Sequence, residues 1–191
     1  ATIDLINVVR DDATIPAYIY GNTGSKIFLI ILHGGPGGSG LEYRGGAFTE
    51  SMEQDYAVVY TDQRGQGMSQ GNLNPEDFTP ENLAADVHAL ALSLRYKYGE
   101  DIRLFLFGHS WGGTLGSTVM VNPEYAAQYR GWIEVAGAHD MPMTFLGGLA
   151  KMDTVAGEQM AAGNNVSYWE GIRETISGID PTVDENNQGI L

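Results

Sequence analysis

Gly108-His109-Ser110-Trp111-Gly112 forms a G-x-S-x-G pattern, and serine serves acyl transfer as a nucleophile once a base takes its proton. The pattern alone is weak in a chain with 26 glycines among 191 residues. Its context gives it weight. It follows a β-prone apolar run, Ile102 to Phe107, and precedes a helical stretch that starts at Trp111. A strand turning sharply into a helix strains the serine backbone and holds its hydroxyl out at the carboxyl end of a sheet. Glycines two residues to either side keep the crossing chains from clashing, and the helix N-terminus favours the negative charge that develops on attack.

A second glycine-rich segment, His33-Gly34-Gly35-Pro36-Gly37-Gly38, follows the run Lys26 to Leu32. Such a loop turns backbone amides toward a point above the sheet, where they can hold the oxyanion of a tetrahedral intermediate. With Ser110 as nucleophile, the expected donors are the amides of Gly35 and Trp111; Pro36 has no N–H. A rival pattern overlaps it. Gly35-x-Gly37-x-x-Gly40 meets the dinucleotide fingerprint, with Asp62 where a ribose-binding acid would lie. That alternative fits Pro36 poorly and leaves the Ser110 turn unexplained. A third segment, Asp62 to Ser69, follows the run Tyr56 to Tyr60 and reads as a polar loop braced by an Asp62/Arg64 pair.

Three such loops need a common scaffold. Thr2 to Val9 and Thr14 to Tyr20 predict a hairpin around Asp11-Asp12, and the apolar runs suit strands buried on both faces. Thr79 as N-cap, Pro80, and Leu83, Val87, Leu90, Ala91 and Leu94 at helical spacing predict a helix ending before Gly99. A second helix, Trp111 to Val121, stops at Asn122-Pro123; a short helical piece and a strand, Trp132 to Ala136, follow. This alternation predicts a three-layer α/β fold with a mostly parallel sheet, whose strand ends gather the three loops at one edge. From Met141 the β-rich runs cease. Met141 to Ala162 and Val166 to Ser177 read as helices, and the polar Pro181 to Leu191 as a linker. The predicted division is a core over 1–139 and a helical segment over 140–191, which holds eight acidic residues against Lys151 and Arg173.

A net charge of −14 argues against nucleic acid and anionic membrane surfaces as partners. No apolar stretch is long enough to span a bilayer. With no cysteine, disulfides, zinc–thiolate sites, iron–sulfur clusters and thiol catalysis are excluded, and the chemistry read here needs neither metal nor organic cofactor. Ala1 to Arg10 lacks a signal-peptide profile, which favours the cytoplasm and leaves a processed secreted or periplasmic form open.

HGGPGG, DQRGQGMS and GHSWGG, in that order, resemble the prolyl aminopeptidase (proline iminopeptidase) branch of the α/β-hydrolase fold, over roughly Val8 to Ala136. The resemblance implies a serine hydrolase that removes an N-terminal residue, often proline, from small peptides or aminoacyl amides through an acyl-enzyme. By motif match it makes Ser110 the nucleophile and Gly35 and Trp111 the oxyanion donors. It also makes residues 140–191 the start of a helical cap and implies that cap acids pair with the substrate ammonium; Glu158, Glu170 and Glu174 are candidates that fall in no matched motif, and the alternative for each is a solvated acidic helix face. Esterase chemistry competes on the same fold, whereas epoxide chemistry there generally uses an Asp at the elbow.

The rest of the machinery departs from the pattern, which runs Ser, then Asp or Glu, then His. After Ser110 the chain has only His139, with Glu124 and Glu134 between them, and these do not make a triad. His33 is expected to brace the oxyanion loop, His109 to be locked in the elbow, His88 to face solvent and His139 to lie near the sheet edge. The expectation is an N-terminal part of a longer hydrolase, its sheet incomplete at the C-terminal side and its triad Asp and His on missing sequence. Such a chain is expected to be insoluble alone or held by a second polypeptide carrying the remainder. A non-catalytic binding protein that keeps the pocket is the alternative from another class.

Overall fold

The computed structural model describes residues 2–137 and 139–180; the polar stretch read as a linker, 181–191, lies outside them. Strands β1 (Thr2–Arg10) and β2 (Ala13–Gly21) pair antiparallel, and Asp11 and Asp12 turn between them at φ 45° and 59°. Positive φ at both central residues gives the turn the twist of its flanking strands. There follow β3 (Ile27–Leu32), a short turn α1 (Glu53–Asp55), β4 (Ala57–Thr61), β5 (Gln70–Gly71) and α2 (Pro80–Tyr98). Then come β6 (Arg103–His109), α3 (Trp111–Val121), α4 (Pro123–Ala126) and β7 (Tyr129–Val135).

Among the described residues seven strands make one sheet in the order β1-β2-β4-β3-β6-β7, with β5 on β2. Strands β4, β3, β6 and β7 run parallel, so their carboxyl ends, and the loops after them, lie along one edge. Alternation assigns the faces. Phe28, Ile30, Leu32, Val59, Leu104 and Leu106 pack with Leu83, Val87, Leu90, Leu94, Leu115 and Val119 of α2 and α3. Leu29, Ile31, Val58 and Tyr60 form the opposite cluster with Tyr43, Phe48, Phe105 and Phe107. Each fully buried Leu or Ile contributes roughly 1.5–3 kcal/mol relative to exposure. Strand β7 ends the sheet, with Ile133 and Val135 exposed.

Helix α2 starts as its residues dictate. The Thr79 hydroxyl accepts from Asn82 N at 3.2 Å, Pro80 opens the first turn, and Gly99 at φ 102° stops it. His88 departs from its solvent-facing expectation. Tyr125 of α4 folds back over α2 and stacks on the imidazole at 4.3 Å, leaving the side chain 14% exposed.

The chain forms two compact units, Ala1–His139 and Asp140–Leu191. The second holds α5 (Met141–Ala161) and α6 (Val166–Ser177), joined by an Arg173–Asp153 ion pair at 2.7 Å. Asp140 caps α5 by accepting from Met143 N at 2.9 Å.

The expected Asp62/Arg64 brace does not form. Arg64 is fully buried and clamps Asp86 of α2, with Nε at 2.6 Å from Oδ2 and Nη2 at 2.7 Å from Oδ1. Arg10 Nη1 reaches the same Oδ1 at 2.9 Å while its Nη2 pairs with Asp11 at 2.8 Å, so Asp86 is shared by two guanidinium groups. Asp86 is expected to be the costliest polar truncation in the core. Asp86→Asn leaves Arg64 charged and buried, and should lower stability in urea unfolding by about 3–5 kcal/mol; a loss below about 1 kcal/mol would show that the pair is dispensable.

Candidate active site

The end of β6, the start of α3 and the loop after β3 meet around Ser110. Ser110 has φ 54° and ψ −122°, a conformation that costs a non-glycine residue about 1–3 kcal/mol. Its N–H donates to Val135 O at 2.9 Å, and its carbonyl accepts from Gly113 N at 2.8 Å. Glycine is required at the crossing. A Cβ on Gly112 would lie 2.0 Å from Leu32 O, and one on Gly108 would lie 2.3 Å from Gly112 O. Ser110 Oγ makes no hydrogen bond among the described residues, and neither does Trp111 N.

The His33–Gly38 loop lies against this turn: a Cβ on Gly34 would come within 3.2 Å of Ser110 Cβ. Its amides are not equivalent. Gly34 N donates to Tyr43 Oη at 2.9 Å and Gly37 N to Gln66 Oε1 at 2.6 Å, while Gly35 N has no partner among the described residues. Gly35 sits at φ 123°, where an L side chain is strained. Among the described residues, two amides therefore stand without partners beside the turn, those of Gly35 and Trp111.

The polar residues after β4 hold the loop from below. Asp62 Oδ1 accepts from Ser39 Oγ at 2.6 Å and Gly40 N at 3.0 Å, and Oδ2 from Met68 N at 2.8 Å. Fully buried and accepting three hydrogen bonds from its own loops, this carboxylate is not presented to a ribose. Gln63 Nε2 donates to His33 O at 2.9 Å, and Gln63 Oε1 accepts from Trp111 Nε1 at 2.9 Å. Tyr43 Oη, besides accepting from Gly34 N, stands 2.7 Å from His109 Nδ1. No motif marked Tyr43 in the sequence; Gln63 lay within one, without a role.

None of the histidines serves Ser110. His33 is fully buried; its Nε2 accepts from Gln63 N at 3.2 Å, so Nδ1 carries the proton and donates to Gly34 O at 2.8 Å. His139 Nε2 meets Glu134 Oε1 at 2.6 Å, and its Nδ1 meets Ser117 Oγ at 2.8 Å, two turns along α3 from Ser110. Of the candidate cap acids, Glu170 and Glu174 line a shallow groove of about 400 Å³ on the second unit with Asp153 and Arg173, and Glu158 lies on α5 outside that lining.

Burial pushes the His33 pKa below its ordinary 6.5, since an imidazolium there would lose hydration. A folded-state value below the unfolded one gives stability that is complete above about pH 6.5 and lost as pH falls through the folded pKa. In an NMR titration His33 is expected to stay neutral, with its proton on Nδ1, at pH 6.5; half-protonation at or above that pH would contradict this.

Comparison with known proteins supplies the family. Residues 24–166 match the family model described as serine aminopeptidase, S33. A proline iminopeptidase of Xanthomonas citri is 37% identical over 98 residues, 51% of this chain and 29% of its own length. A probable aminopeptidase of Bacillus subtilis is 30% identical over 118 residues, 61% of this chain and 36% of its own length. The solved structure of a proline iminopeptidase-related protein from Thermus thermophilus superposes with a TM-score of 0.63 and 29% identity, over 81% of this chain and 50% of that one. The chain thus spans about a third of these curated relatives and half of the solved one. By its motifs, its sheet order and this match, the chain belongs to the serine aminopeptidase S33 family of the α/β-hydrolase fold.

Proposed function

We propose that this chain supplies the nucleophile and the oxyanion site of a serine hydrolase that releases an N-terminal residue from small peptides or aminoacyl amides. One observation carries this: strained Ser110, with the amides of Gly35 and Trp111 beside its turn and without partners among the described residues. Ser110 Oγ attacks the carbonyl carbon as a base takes its proton, and the amides of Gly35 and Trp111 hold the oxyanion. Collapse breaks the C–N bond, the departing amine takes that proton, and water then hydrolyses the ester on Ser110. No step calls for a metal or an organic cofactor. Epoxide chemistry through a carboxylate nucleophile has no such residue at this turn.

The general base and the acid that orients it lie, in this proposal, on polypeptide other than the described residues. His33 and His109 are held by their own partners, and His139 faces Ser117. The remainder of a longer protein, or a second polypeptide, would supply them and cover the β7 edge. Residues 140–191 are proposed as the start of a cap. The relatives named proline iminopeptidase and aminopeptidase favour a substrate with a free amine, and Glu158, Glu170 and Glu174 are the carboxylates offered to it. A non-catalytic binding role is the second reading, favoured by a Ser110 hydroxyl that has no partner among the described residues.

A fluorophosphonate separates the two. Intact mass spectrometry of the complete hydrolase is expected to show one adduct, mapping to Ser110 and abolished by Ser110→Ala; an unlabelled protein would favour the binding role. For the amine, Glu158→Gln/Glu170→Gln/Glu174→Gln should raise KM for an aminoacyl amide at least tenfold, about 1.4 kcal/mol for a lost ammonium partner. An unchanged KM would remove these acids from substrate recognition.

A further inference from the structure

Two side chains join the glycine-rich loop to the residues on either side of Ser110. Tyr43 Oη accepts from Gly34 N at 2.9 Å and lies 2.7 Å from His109 Nδ1. Gln63 donates to His33 O and accepts from Trp111 Nε1, each at 2.9 Å. Loop residues 33 and 34, which lead directly into Gly35, are thereby fastened to residues 109 and 111, which flank the serine.

The loop needs outside support. Gly34, Gly35, Gly37 and Gly38 have no side chains to pack, and glycine has the most backbone freedom to lose on ordering. An oxyanion donor works only if held about 2.7–3.1 Å from where the charge develops, and the two donors proposed here come from different segments of the chain. Their separation depends on whatever couples the segments.

Each bridge has a donor and acceptor set that its surroundings can satisfy. Gly34 N–H fills a lone pair of Tyr43 Oη, so the phenolic proton is free for His109 Nδ1. Gln63 must turn its NH₂ to the His33 carbonyl and its oxygen to the Trp111 indole N–H, because a carbonyl oxygen only accepts and an indole N–H only donates. Gln63 is 4% exposed, and its own backbone N–H is bonded to His33 Nε2. The Tyr43 ring is set edge-on to Phe107 at 6.4 Å and to His109 at 5.8 Å.

We infer that Tyr43 and Gln63 are positioning residues, a pair of bridges that fix the oxyanion loop against the Ser110 turn and so preorganise the site for the transition state. This rests on the serine-hydrolase proposal above. Neither side chain touches the substrate; both act through the amides of Gly35 and Trp111.

The test uses the complete hydrolase with Tyr43→Phe, Gln63→Met and the double variant. Tyr43→Phe keeps the ring packing and removes one hydroxyl; Gln63→Met keeps the length and removes both polar contacts. Each is expected to lower kcat for an aminoacyl amide roughly tenfold to a hundredfold with KM unchanged. Each should weaken an aminoacyl boronic acid, which forms a tetrahedral anion on the serine, by a similar factor. The double variant should lose less than the product of the singles, because both bridges hold one loop. Thermal midpoints close to wild type would confirm that folding is intact, and either variant suffices if the other fails to fold.

An unchanged kcat in a folded variant, or a raised KM with kcat preserved, would overturn the inference while leaving Ser110 as nucleophile. A wild type that neither turns over nor takes a fluorophosphonate would instead overturn the hydrolase proposal, and this inference with it.

Discussion

Helix α3 starts where it does because Gly112 presents no side chain to the Leu32 carbonyl, which a Cβ there would approach to 2.0 Å. That contact lets the end of β6 pass close to the end of β3, so that the turn at Ser110 and the loop beginning at His33 share one space. Any larger residue would push the helix off the sheet. The positive φ of Ser110 and the nearness of Gly34 both follow from this close crossing.

Beneath it, three consecutive residues after β4 hold three different parts of the molecule. Asp62 takes the Ser39–Gly40 turn and Met68, Gln63 takes His33 and Trp111, and Arg64 takes Asp86 of α2. All three are buried, and buried polar groups without partners would each cost several kcal/mol. Partners from separate segments make the arrangement mutual. The loop after β3 has its shape because the loop after β4 is built, and the latter is anchored by a helix that starts further along the chain.

Much of the fold was legible because it rests on local rules. Apolar runs bounded by turns gave β3, β4 and β6, and Thr79-Pro80 with its helical spacing gave α2 close to its observed limits. The Ser110 turn was legible because glycines at fixed offsets have one steric cause. Long-range pairing was not. Arg64 looked like a partner for Asp62, two residues away, because nothing local shows that the strand end turns its side chain under the sheet toward Asp86. His88 looked exposed because the ring that covers it lies 37 positions on, at Tyr125, on a helix of four residues. Tyr43 carried no signal, since an aromatic in a glycine-rich loop has no fixed spacing to the histidine it meets.

The Ser110 N–H is bonded to the carbonyl of Val135, the last residue of β7, and β7 is the outer strand of the sheet. A strand with one neighbour opens more readily than one with two, because local stability follows the contacts that hold it. The backbone of the candidate nucleophile is therefore fastened to a strand that has a single neighbour among the described residues. Covering that border with a further strand would stiffen the serine turn without touching it.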